Sequence, residues 1–149
     1  MKKINTSRFG ELEIDEKRVV NFKDGIPAFE DEHEFIILPY DVESPYYFMQ
    51  SVKTPDLAFL LTIPFLFFPD YTFEIDDESL KELDIQDEDK VLYYTLITIP
   101  KGSIQDMTTN LLAPVILNTV NMKAKQLVLE KTNYKTKERL FPEPKKEAK

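Results

Sequence analysis

Cysteine and tryptophan are absent from the 149 residues, glycine occurs three times and histidine once. Without cysteine no disulfide, thiolate metal site or cysteine nucleophile can be built, and a chain in a reducing compartment loses nothing by the omission. That points to the cytoplasm. Gly10, Gly25 and Gly102 lie far apart, so neither a phosphate-cradling loop nor a dinucleotide fingerprint is present. His33 stands among Asp31, Glu32 and Glu34, which reads as a surface histidine, and no catalytic triad assembles around it. Long apolar runs are missing too. Residues 57–68 contain Thr62 and Pro64 and fall well short of the ~20 residues a spanning helix needs. Lys2 and Lys3 are followed by no apolar stretch, so neither a secretory signal nor a membrane segment is expected.

What is present is an acidic, aromatic-rich composition. Phe 11, Tyr 7 and 42% hydrophobic residues are enough to pack a core at this length. The formal net charge of -8 is unevenly distributed: residues 1–121 hold 10 Lys and Arg against 23 Asp and Glu, whereas 122–149 hold 9 against 4. An acidic body repels phosphates, so direct nucleic-acid binding is disfavoured, while a basic protein surface would be attracted.

Short β segments separated by turn residues dominate the pattern. Residues 18–22 run into Asp24-Gly25, a strong turn signal; 35–38 stop at Pro39, 46–52 before Pro55, and 57–63 at Pro64. Residues 71–75 alternate as a half-buried antiparallel strand should. The densest β-branched and aromatic run is 91–99. Residues 111–117 and 126–130 complete the set, with Pro114 implying an edge or a bulge, because proline cannot donate to a ladder. One short helix is expected near 77–84, capped by Asp76 or Asp77. The fold class is therefore all-β, mainly antiparallel, a small barrel or sandwich of eight to ten strands. Residues 1–141 read as one domain and 142–149 as a basic flexible tail.

The acidic run from Glu74 to Asp89 invites a calcium reading, but Asp84-Ile85-Gln86-Asp87-Glu88-Asp89 lacks the central glycine and closing glutamate of an EF-hand loop. No metal or other cofactor is expected. Polar residues set in apolar contexts, notably Gln50, Asn110 and Asn118, read as turn-capping amides or as partner contacts.

Several segments in order resemble the FliW flagellar assembly factor family: Phe22-Lys23-Asp24-Gly25-Ile26-Pro27-Ala28-Phe29-Glu30, Met49-Gln50-Ser51, Pro55-Asp56-Leu57-Ala58-Phe59, Phe68-Pro69-Asp70-Tyr71, residues 109–118 and Lys125-Gln126-Leu127. Ala28 departs from the pattern, since the family usually has glycine there. The resemblance implies a cytoplasmic, non-catalytic β-barrel protein with two mutually exclusive partners. One is flagellin, bound before export; the other is the translational repressor CsrA, antagonised away from its RNA site so that flagellin synthesis follows flagellum assembly. The candidates for partner contact are Gln50, Asp70, Tyr71, Asp76, Asp77, Glu78, Asn110, Pro114 and Asn118, with a receptor for unfolded flagellin segments expected near Pro114. A monomer is expected when no partner is bound. Two other readings stay open: a metal-dependent enzyme using the carboxylates, and a structural subunit of a larger assembly.

Overall fold

The computed structural model describes residues 1–141, so the expected flexible tail lies outside the described residues. Among the described residues there are eleven strands, β1 (Lys2–Thr6), β2 (Gly10–Ile14), β3 (Val20–Phe22), β4 (Glu34–Pro39), β5 (Tyr46–Ser51), β6 (Ala58–Thr62), β7 (Val91–Thr98), β8 (Thr108–Thr109), β9 (Val115–Asn118), β10 (Lys123–Gln126) and β11 (Glu138–Arg139), and one α-helix, α1 (Asp77–Glu82). Strands β3 to β7 form an antiparallel meander in space; β9 and β10 return at the far side, and β9 pairs with β7. The result is a closed seven-strand barrel. All its pairings are antiparallel except β3 with β10.

Each barrel strand contributes to the interior. Val20 and Phe22 (β3), Phe35 (β4), Met49 (β5), Leu61 (β6), Tyr94 (β7), Val115 and Leu117 (β9) and Ala124 (β10) form one buried cluster. Phe22 and Phe35 meet edge to face, their ring centroids 5.6 Å apart. Strand β9 is buried on both faces, because Ile116 packs outward beneath Leu83 and Val91. Its unbroken apolar text is what two-sided burial requires.

Hairpin β1–β2 adds to the strands read from the sequence; its charged residues face solvent while Ile4 and Ile14 pack on Val19 and Ile36. Three expectations need correction. Residues 71–75 do alternate, with Tyr71 buried and Thr72 and Glu74 exposed, yet they join no ladder. Pro114 is neither at an edge nor in a bulge: it is buried one residue before β9, which lies between β7 and β10. Asn110 explains the late start, because its Oδ1 accepts from the Ala113 N–H at 3.0 Å and folds 110–113 into a turn. Finally, the strand expected over 126–130 is β10, which begins at Lys123 and ends at Gln126.

Ala28 lies in the turn that follows β3, at φ 74, a left-handed conformation that costs a non-glycine residue about 1–2 kcal/mol. Ala28→Gly should therefore stabilise the fold by about 0.5–1 kcal/mol after the greater freedom of the unfolded chain is subtracted, read as a higher urea midpoint. At Gly25 (φ 71) an added Cβ would sit 2.4 Å from the Glu30 carbonyl oxygen, so Gly25→Ala should destabilise in the same assay.

Candidate functional site

The acidic run is organised by α1. The side chain of Asp76 accepts from the Ser79 N–H at 3.2 Å and so caps the helix, leaving Asp77 and Glu78 exposed in its first turn, where negative charge suits the helix dipole. Ser79 is fully buried, and Lys125 Nζ donates to its Oγ at 3.0 Å and to Glu82 Oε2 at 3.2 Å. The hydrogen bond from the Ser79 side chain is the main reason the Asp76 carboxyl titrates below its ordinary range; backbone N–H groups and Lys125 add to it. Asp76 thus stays ionised at neutral pH. At its other end α1 is closed by Asp84 in a left-handed conformation (φ 52), with Ile85 N–H donating to Leu80 O at 2.9 Å.

Beside this helix runs a groove of about 870 Å³ between residues 73–79 and 125–132. Its floor is apolar, from Phe73, Ile75, Leu127 and Leu129, and its rim carries Glu74, Asp76, Asp77, Glu78 and Glu130. Tyr71 lies buried at one end, its hydroxyl donating to Leu111 O at 2.6 Å. Burial pushes its phenol well above the usual tyrosine range.

The nine candidates therefore separate. Asp76, Asp77 and Glu78 come together at the groove; Asp70 is exposed at the turn preceding Tyr71. Gln50, Tyr71, Pro114 and Asn118 are buried, and Asn110 is half-buried in its turn. The two N–H groups of Gln50 Nε2 are shared among the carbonyls of Ser51, Thr54, Pro55 and Leu57, at 3.1, 3.3, 3.2 and 3.1 Å, tying down the β5–β6 connection. Asn118 Nδ2 donates to Leu83 O at 2.9 Å and Asp84 O at 3.1 Å, while its Oδ1 accepts from Val120 N–H. It binds the end of α1 to the barrel. Val128, Glu130 and Lys125 also line the groove; the run Lys125-Gln126-Leu127-Val128-Leu129-Glu130 has no polar–apolar alternation that would mark them in the sequence.

Among the described residues no group of three or more His, Asp and Glu side chains is placed to hold a metal ion. Among the described residues no helix is long and apolar enough to cross a membrane.

The fold defines the class: a closed seven-strand β-barrel protein with one short helix, here with a groove lined by five carboxylates on its side. A family model described as FliW protein matches residues 3–140. The flagellar assembly factor FliW of Geobacillus sp. (strain WCH70) is 45% identical over 141 residues, covering 95% of this chain and 96% of that one. That of Heliobacterium modesticaldum is 45% identical over 140 residues, covering 94% and 91%. A crystal structure of the flagellar assembly factor FliW superposes with a TM-score of 0.88 at 43% identity, covering 95% of this chain and 99% of the other. The chain belongs to the FliW family of flagellar assembly factors, whose role is not an enzymatic one.

Two consequences for stability follow. Asn118→Ala leaves the Asp84 carbonyl without its donor and opens a void, and should cost about 1–3 kcal/mol in chemical denaturation. Because the folded Asp76 pKa is depressed, its contribution is complete above the unfolded value of about 3.9 and is lost as pH falls through the folded value. The stability difference between wild type and Asp76→Asn should therefore be constant near neutrality and shrink below about pH 4.

Proposed function

We propose that this chain is a cytoplasmic flagellar assembly factor that binds flagellin before export and, when free of it, binds and antagonises the translational repressor CsrA. The family membership supports the first half of the statement, and the likeness of the FliW segments extends it to the two partners. One observation carries the electrostatic part. Asp76, Asp77 and Glu78 are exposed together on the rim of the groove, and Asp76 is held ionised by its own cap. A repressor that binds RNA presents basic surface, which such a rim attracts while repelling RNA phosphates from the neighbourhood. Antagonism can then operate without occupation of the RNA site.

The exchange of partners makes synthesis follow assembly: export of flagellin frees the factor, the factor captures the repressor, and translation resumes. In this scheme the chain catalyses no reaction and acts as a monomer when unbound.

Asp77 and Glu78 are the residues to test, because Asp76 also caps α1 and its replacement would confound binding with stability. The double substitution Asp77→Lys/Glu78→Lys should lower affinity for CsrA at least tenfold at low salt, with the difference narrowing as ionic strength rises. Flagellin pull-down by the same variant should persist, serving as the control for folding. Repressor affinity unchanged at low salt would overturn the electrostatic reading, and failure of the wild-type chain to retain either protein would overturn the assignment of partners.

A further inference from the structure

We propose that the groove beside α1 is a strand-addition site, which takes an extended partner segment carrying apolar side chains at alternate positions and a lysine or arginine between them. The argument begins with main-chain groups. Leu127 N–H donates to Pro114 O and Leu129 N–H to Leu112 O, each at 2.8 Å, so residues 127–129 continue the antiparallel run of β10 beyond its ladder. In an extended strand successive residues direct their main-chain groups to opposite sides. Those of Val128 and Glu130 must therefore face away from residues 112–114, toward the side on which β10 pairs with β3. That pairing reaches only Lys123 and Ala124. Further along, this side has no neighbouring strand, and the N–H groups of Val128 and Glu130 have no acceptor among the described residues.

The opposite wall has the same character. Residues 71–75 carry the alternation of a strand, and the N–H groups of Phe73, Glu74 and Ile75 are likewise without acceptors among the described residues. An unpaired edge of this kind is a template for pairing with another chain. In the second wall the Thr132 hydroxyl oxygen is buried and has no partner among the described residues.

Floor and rim select the occupant. The floor accepts apolar side chains at a two-residue period against Phe73, Ile75, Leu127 and Leu129. Among the described residues five carboxylates line the groove against two lysines, and one of these, Lys125, is held by Glu82. An acidic strand would be repelled and a basic one drawn in. The inference rests on the reading of this chain as a binder of protein partners, yet it does not depend on which of the two partners supplies the segment.

The test uses synthetic octapeptides and the full chain, with neither flagellin nor CsrA present, so its failure is distinct from failure of the partner assignment. A fluorescein-labelled peptide alternating lysine with valine and leucine should raise anisotropy on titration; its glutamate counterpart should bind at least tenfold more weakly. Amide hydrogen exchange should slow at Val128 and Glu130 on addition of the basic peptide. Val128→Pro deletes an N–H that the fold does not use, and should abolish the anisotropy change while circular dichroism is retained. Should that variant lose its fold, the exchange measurement on wild type decides alone. Equal binding of both peptides, or binding with no slowing at Val128 and Glu130, would overturn the proposal. So would an edge-to-edge dimer of the free chain in light scattering that is lost in Val128→Pro, since a second copy would then be the occupant.

Discussion

Closure of the barrel by β7 and β9 is the interaction on which the other features depend. Val91 to Tyr94 pair with Val115 to Asn118, and this single antiparallel contact converts an open sheet with two edges into a ring. It also creates the surface on which the groove is built. Ile116 and Val91, outward-facing on these two strands, receive Leu83, and Asn118 at the end of the pairing holds the carbonyls that terminate α1. Without the closure there is no platform for the acidic helix and no fixed distance between it and residues 125–132.

Charge is arranged on this platform by local rules rather than by net composition. Asp76 is a cap, Asp77 and Glu78 occupy the favourable end of a helix dipole, and Lys125 is drawn in to Ser79 and Glu82. Each placement is modest in energy. Together they hold several carboxylates exposed beside an apolar floor, a combination that favours specificity and speed of association more than affinity alone.

Much of the barrel was legible because β3 to β6 are consecutive strands ended by Gly25, Pro39, Pro55 and Pro64, and turn chemistry is local. Hairpin β1–β2 was illegible for the opposite reason: Lys and Glu on its wet face outnumber Ile4 and Ile14, so composition hid the alternation. Residues 71–75 carried a true alternation that implied a ladder, but period reports which side chains are buried and not whether a neighbouring backbone exists. At the candidate site Asp76, Asp77 and Glu78 could be read from helix-start chemistry. The second wall, at 125–132, is far away in sequence and becomes its neighbour only through barrel closure.

The parallel contact between β3 and β10 has a temporal side. Asn21 and Lys123 are partners across about 100 residues of chain, and ribosomes add about 5–20 residues per second. For about 5–20 seconds after β3 emerges, its outer edge therefore has no neighbour, whereas β7 waits only about 1–5 seconds for β9. A nascent chain of this sequence is an open sheet throughout most of its synthesis and becomes a ring only when its last third arrives. Its supply of competent molecules is thus gated by synthesis of β9 and β10, and a product truncated before them would leave the barrel edges of β3 and β7 unpaired.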